Sequence, residues 1–280
     1  MKDFSGKVAA ITGAASGMGR SLSIELAKRG CHLAISDVDE AGLAETVERA
    51  AKHGVTVTSQ RLDVADREAV HAWADQVVAD HGRVNLIFNN AGVALGASVE
   101  GMSYEDFDWL IGINFHGVVN GTKAFLPHLK ASGEGHVINI SSVFGLLGIP
   151  SQSAYNAAKF AVRGFTESLR IELDMEDAGV SCTTVHPGGI KTNIARNARI
   201  DHSLGDVDID PEEAVKGMEK LFITSADKAA KGILRAVELD KRRAMIGPDA
   251  HVLNLLAKLP PNAYQRLIAF GVKRQSGPIV

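Results

Sequence analysis

Tyr155 and Lys159, in the run Ser153-Ala154-Tyr155-Asn156-Ala157-Ala158-Lys159, are the residues of this 280-residue chain whose types and spacing best suit chemistry. Four positions apart on a helix, they share one face. A free phenol titrates near pH 10, and bringing it to about 7 takes roughly 4 kcal/mol. A phenolate and an ammonium about 4 Å apart at an effective dielectric of about 20 attract by a similar amount. The lysine alone is therefore expected to bring Tyr155 into the range where it takes a proton from an alcohol and returns it to a ketone. Ser142 follows a strand read from His136 to Ser141. That position is the carboxyl edge where open α/β sheets bind ligands, so its hydroxyl can donate to a substrate oxygen. Tyr and Lys at this spacing also occur as plain surface pairs, and the surroundings decide between the two.

A second group lies near the start. Thr12-Gly13-Ala14-Ala15-Ser16-Gly17-Met18-Gly19 follows the first strand and opens the first helix. Glycines there let the backbone approach a pyrophosphate, and unpaired N–H groups at the helix start, from Ser16 onward, point at the anion. The spacing of Gly13, Gly17 and Gly19 is not G-x-G-x-x-G, and a glycine turn alone is a weak sign. Asp37 strengthens it, falling at the end of the second strand roughly 20 residues on, where a carboxylate accepts from adenosine ribose hydroxyls. The same charge repels a 2′-phosphate, and neither Ala14-Ala15-Ser16 nor Val38 supplies a cation to reverse this. NAD is expected over NADP by well over tenfold.

These residues need a scaffold, and the chain alternates short β-branched runs with helical periods, the pattern of βαβ units. Strands are read near 7–12, 31–36, 55–60, 84–89, 135–141, 180–186 and 243–246. Amphipathic segments fall near 18–29, 39–53, 66–81, 103–131, 153–178 and 226–239, with Ala69, Val70, Trp73, Val77 and Val78 at helical spacing. Near-continuous apolar strands such as Val8-Ala9-Ala10-Ile11 indicate a parallel sheet covered on both faces. The expected fold is a Rossmann-type doubly wound parallel α/β sheet of about seven strands, forming one domain over 1–247. Residues 189–225 are polar and of no clear period, which reads as a substrate loop. Residues 248–280 read as two short helices broken at Pro260-Pro261, an extension packed on the domain or on a partner subunit.

Bulk properties narrow the function classes. A net charge of -3 gives no basic field for nucleic acid. Lys241-Arg242-Arg243 reads as a solvated turn, and the ten histidines show no metal-ligand spacing, so no metal is expected. His186 reads as a strand-end histidine satisfied by backbone. Cys31 and Cys182 read as buried free thiols without a disulfide framework. Apolar runs such as 252–256 are far short of the ~20 residues that span a bilayer, and no signal-peptide pattern opens the chain. A cytoplasmic protein without stable membrane anchoring is the expectation.

Seven features in register, TGxxxGxG, Asp63-Val64, Asn89-Asn90-Ala91-Gly92, Asn114, Ser142, Tyr155-x-x-x-Lys159 and Pro187-Gly188, resemble the short-chain dehydrogenases/reductases. The resemblance covers roughly the first 190 residues and the general layout to about 247. It implies a catalytic group of Asn114, Ser142, Tyr155 and Lys159. It also implies that Asp63 and Val64 hold the adenine and that Asn90, Ala91 and Gly92 line the cofactor cleft. Ile190 and Thr192, after Pro187 and Gly188, would contact the nicotinamide carboxamide. Asn114 would hold a water linking Lys159 to solvent, and Lys159 would also hold the nicotinamide ribose. Met18, in place of the commoner Ile, is a packing change, and the tail beyond 247 departs from the common pattern. The reading is an NAD-dependent oxidoreductase interconverting a secondary alcohol and a ketone, working as a homodimer or homotetramer. A lipophilic, steroid-like or cyclic substrate is expected from an apolar rim of Val143, Phe144, Leu146, Leu147, Ile149 and Pro150. The rivals are an epimerase or dehydratase that retains its nicotinamide, and a non-catalytic cofactor-sensing protein.

Overall fold

A computed structural model describes residues 1–201 and 222–275. Its centre is a seven-stranded, wholly parallel sheet. The strands are β1 (Val8–Thr12), β2 (His32–Asp37), β3 (Val57–Arg61), β4 (Leu86–Asn89), β6 (Gly135–Ile140), β7 (Val180–Pro187) and β11 (Arg243–Ile246). Two-residue strands β5 (Leu95–Gly96), β8 (Ile190–Lys191), β9 (Arg199–Ile200) and β10 (Thr224–Ser225) lie outside it. The sheet order is β11-β7-β6-β4-β1-β2-β3, so the chain reverses direction across β1 and β4 and opens a crevice at their carboxyl ends. The doubly wound fold read from the sequence is the fold observed.

Helices cover both faces because the strands are apolar on both sides. One layer holds α1 (Gly17–Lys28), α2 (Glu40–Ala51) and α7 (Ala226–Glu238), packing Leu22, Leu26, Leu43, Ile233 and Val237 on Ile11, Leu33 and Ile35. The other holds α3 (Arg67–His81), α5 (Gly117–Ala131) and α6 (Ser153–Glu176). There Trp73 and Phe125 meet edge to face at 5.1 Å over Ala10, Ile87 and Val137. Side-chain caps fix several helix starts: Asp39 accepts from Gly42 N–H and Asp66 from Ala69 N–H, each satisfying a donor the helix leaves open.

The segment expected as one helix over 103–131 is interrupted. Helix α4 (Tyr104–Ile111) passes into a π-helical turn, Gly112–His116, before α5 begins. Such one-turn widenings re-aim a side chain, and Asn114 sits in this one, fully buried. Helical period cannot announce it, because the residues on either side keep their helical spacing.

The region 189–225 is described in part. Ile190–Lys191 pairs with Thr224–Ser225, which joins the two ends of the region to each other, and Leu95–Gly96 with Arg199–Ile200, which ties it to the body. Residues 202–221 of the expected substrate loop lie outside the described residues. The tail forms α8 (Pro248–Leu256) and α9 (Pro261–Gln275), separated at Pro260 as expected. Helix α8 packs on the domain through Ala250, which is fully buried. Among the described residues no helix is long and apolar enough to cross a membrane, and no His, Cys, Asp and Glu group could hold a metal ion.

Candidate functional site

The turn after β1 is shaped by close approach. Gly13 has φ +67°, and a Cβ on it would lie 2.7 Å from the Ala91 Cα; one on Gly19 would lie 2.0 Å from the Gly13 carbonyl oxygen. Only hydrogen fits at either position. Thr12 Oγ1 accepts the N–H groups of Asn90 and Ala91 at 3.0 and 3.1 Å, and Asn90 Nδ2 donates to the Thr12 and Gly13 carbonyls. The two strand ends at the sheet's reversal point are thereby locked together. Ser16 precedes α1 without capping it through its side chain, which leaves the first-turn N–H groups facing the crevice.

A cleft of 310 Å³ opens here, lined by Gly13, Ser16, Gly17, Met18, Asp37, Asp63, Val64, Asn90, Ala91, Gly92 and Thr192 from the residues expected to bind cofactor. Asp37 stands at the end of β2 with Oδ2 accepting from Ala15 N–H at 2.9 Å and Oδ1 from Asp39 N–H at 3.0 Å. A carboxylate has about four acceptor positions, so lone pairs remain for hydroxyl groups. Arg20 lies behind the turn, donating to the Ala15 and Gly42 carbonyls and pairing with Glu45 at 2.8 Å. It does not line the cleft, and among the described residues no Lys or Arg lines it beside Asp37.

An adjoining cavity of 220 Å³ shares Met18, Asn90, Gly92, Thr192 and Ile194 with the cleft. Its walls bring together Ser142, Tyr155, Lys159, Pro187, Gly188 and Ile190. Asn114 lines neither space, but its Oδ1 and Lys159 Nζ lie 3.2 and 3.6 Å from the position a Gly92 Cβ would take. Asn114 thus stands behind the floor. Its side chain accepts from Val93 N–H at 2.8 Å and donates to Val93 carbonyl at 2.9 Å, so it fixes the segment after β4.

The electrostatics differ from the sequence-based expectation. Burial pushes the Tyr155 phenol up to about 12, against a smaller lowering by its hydrogen bond with Ser142. Burial likewise pulls Lys159 down to about 8. Lys159 Nζ donates to the Ile140 carbonyl at 3.0 Å and lies 5.5 Å from the Tyr155 ring centroid. The simple pair attraction omitted the desolvation cost, which favours the neutral form of each partner. The lysine alone does not bring the phenol's titration down to neutral pH.

The rim also needs correction. Val143 and Phe144 line the cavity, whereas Leu146, Leu147, Ile149 and Pro150 do not. Ser142 Oγ caps a 3₁₀ turn over Val143–Gly145 by accepting from Phe144 N–H. Asn156 then staples the following loop to α6, donating to the Phe144 and Leu147 carbonyls and accepting from Ile149 N–H. Leu146 and Leu147 are consequently folded into the interior. In their place Ala94, Ile194, Ala195, Phe222 and Leu253 complete an apolar wall, with the polar Gln152 and Asp249 also lining the cavity. No local motif marks these residues; they come from five separate stretches of chain.

His186 is satisfied on one side, its Nδ1 within 2.8 Å of the Ser142 carbonyl, and Cys31 and Cys182 are buried free thiols. Arg242 and Arg243 are exposed and pair with Asp174 and Glu167.

Comparison with known proteins agrees with this geometry. The family model for short chain dehydrogenase matches residues 7–203. The chain is 50% identical over 274 residues to SadH of Mycobacterium tuberculosis, named as an oxidoreductase, covering 98% of each chain. Among solved structures it resembles a short-chain dehydrogenase/reductase from Burkholderia phymatum in complex with NAD (TM-score 0.83, 32% identity, 91% of this chain and 94% of that one). It also resembles carveol dehydrogenase from Mycobacterium avium in complex with NAD (TM-score 0.73, 27% identity, 84% and 91%). A parallel sheet with its crevice at β1 and β4, a glycine turn closed on Asn90, and a buried Ser142 and Lys159 flanking a half-buried Tyr155 beside it are thus the parts of an oxidoreductase, and the chain belongs to the short-chain dehydrogenase/reductase family.

Proposed function

We propose that the protein is an NAD-dependent alcohol dehydrogenase or ketone reductase acting on a lipophilic secondary alcohol or ketone. The observation that carries this reading is the junction of the two spaces: Ser142, Tyr155 and Lys159 line the apolar cavity where it meets the glycine-lined cleft.

The residues present fit a dinucleotide. The side-chain-free face of Gly13 and Gly19 and the uncapped start of α1 suit a phosphate, and the buried, unpartnered Asn90 Oδ1 suits a donor such as a ligand hydroxyl. Ser16, Gly17, Met18 and Gly19 would hold the pyrophosphate, Asp37 the adenosine ribose, Asp63 and Val64 the adenine, and Ile190 and Thr192 the carboxamide. When bound, the nicotinamide supplies the hydride acceptor or donor and, oxidised, a positive charge beside Tyr155. Preference for NAD over NADP follows from Asp37, and the NAD-bound structural neighbours support it for the cofactor class.

The chain's own groups do the proton chemistry. Ser142 donates to the substrate oxygen and holds it against the phenol. Tyr155 takes the hydroxyl proton during oxidation and returns it during reduction. Lys159, held by the Ile140 carbonyl, offers its remaining protons to the phenol side and to the nicotinamide ribose. Because the Asn114 side chain is occupied by Val93, a water between it and Lys159 would be held by the Asn114 backbone. The cavity wall of Val143, Phe144, Phe222 and Leu253 excludes water and favours an apolar substrate body. A neighbour named for the alcohol carveol supports that class.

We read 1–247 as the cofactor and catalytic domain, with the 248–280 extension closing the cavity, and the working form as a homodimer or homotetramer. The test is a panel of cyclic and steroid-like alcohols with NAD, followed by NADH release at 340 nm. Released NADH supports the reading. Turnover without NADH release indicates an epimerase or dehydratase, and preference for sugars or charged acids overturns the lipophilic assignment.

A further inference from the structure

The C-terminal extension carries its charge apart from the rest of the molecule. After Asp249 the sequence has no Asp or Glu, yet it contains Lys258, Arg266, Lys273 and Arg274. Against a net charge of -3 for the whole chain, these four cations leave -7 on the residues before 250. The extension is also where large apolar side chains stand open. Val252, Leu255 and Leu259, at i, i+3 and i+7, and Leu267 and Phe270, at i and i+3, are 42% to 67% exposed. On the inner side of α8, Ala250 is buried and Leu253 lines the cavity that holds Tyr155. One short helix therefore has a wall of the apolar cavity on one side and an open apolar face on the other.

We infer that the outer face of α8 and α9 docks reversibly on an anionic lipid surface. Apolar side chains flanked by Lys and Arg, with no acidic residue among them, match a boundary between acyl chains and anionic headgroups. At 9 and 15 residues the helices are too short to cross a bilayer and would lie in its surface. Two-fold pairing of this face with a second copy would set Lys258 and Arg266 against the same cations of the copy, which disfavours that occupant. The acidic remainder of the chain is repelled by the same headgroups, so the surface orients the molecule with α8 toward the lipid. Docked in this way, the apolar cavity has its Leu253 wall beside the bilayer, and a lipophilic substrate could enter without crossing water. That last step rests on the proposed function; the docking does not.

The test is flotation of the full chain with vesicles of phosphatidylglycerol and phosphatidylcholine, compared with phosphatidylcholine alone. Binding is expected on the anionic vesicles, with release by salt of about 0.5 M. A Lys258→Gln/Arg266→Gln chain should bind them about tenfold more weakly. Leu267→Glu/Phe270→Glu should lose binding while circular dichroism and turnover of a water-soluble ketone stay unchanged. If that second variant fails to fold, the charge variant carries the test. No flotation of the parent chain, equal flotation on neutral vesicles, or a fall in oligomer size in the variants with flotation retained would each overturn the inference. Flotation by a chain that oxidises no alcohol would leave the docking standing and remove the proposed function.

Discussion

Asp249, in the first turn of α8, accepts the Gly189 N–H at 2.5 Å and so ties the C-terminal extension to the loop that follows β7. Gly188 donates its N–H to the Ile246 carbonyl, and Gly189 carbonyl accepts from Thr224 N–H. The loop leading to Ile190 and Thr192 is thus held from three sides. A hydrogen bond to a charged group contributes about 1.5–3 kcal/mol. Asp249→Ala should weaken NADH binding about tenfold or more, whereas Asp249→Asn, which keeps an acceptor oxygen, should stay within a few-fold. Fluorescence titration of NADH measures both. A Cβ at 188 would lie 2.1 Å from Asp249 Oδ2, so Gly188→Ala should damage binding less when Asp249 is also alanine.

Tyr155→Phe removes the hydroxyl and keeps the ring that packs edge to face on Phe144 at 6.1 Å. Loss of a positioned acid and base costs about 10²–10⁴ in rate. Turnover should fall by at least that range while NADH binding stays unchanged. Retention of full turnover in stopped assays would remove Tyr155 from the mechanism.

Asp37→Asn keeps an oxygen for the Ala15 N–H and removes the charge. Repulsion of the 2′-phosphate should then disappear, and the ratio of kcat/KM for NAD over NADP should drop by about tenfold or more. A ratio equal to that of the parent chain would mean that cofactor choice is set elsewhere.

What the sequence made legible divides by range. The glycine turn, Asp37 and Tyr155 with Lys159 are read from local spacing, because each lies at a strand end or on one helix face where the period fixes its position, whereas Asn90 is marked only by the family resemblance. The substrate wall was misplaced from the same kind of evidence. Leu146 and Leu147 look like pocket residues in sequence, but one side chain, Asn156, turns their loop inward. Leu253 and Phe222 reach the cavity only through tertiary packing. The pKa of Tyr155 failed for a related reason: the pair attraction is local, whereas desolvation depends on everything packed around it.

Stability should fall on mild acidification because of two buried imidazoles. Burial holds His136 down at about 3 and His186 at about 4, against an ordinary value of 6.5. Both are neutral in the fold from neutral pH down through most of that interval, and both become charged when the chain unfolds below pH 6.5. The unfolded chain therefore binds more protons, and stability present above pH 6.5 is lost as the pH drops toward 4. Each histidine contributes a slope of up to about 1.4 kcal/mol per pH unit, so the two together approach about 2.7 kcal/mol per unit. Asp240 and Glu167, which burial pushes up but hydrogen bonds and neighbouring Arg charges together hold below their ordinary values of 3.8 and 4.5, add to the loss only at the acid end of this range. Urea midpoints recorded at half-unit steps from pH 7 to 5 should fall steadily. His136→Gln, which keeps a polar partner for Thr183 Oγ1, should reduce the slope by about half. A midpoint constant over that interval would show that neither imidazole is held neutral by the fold.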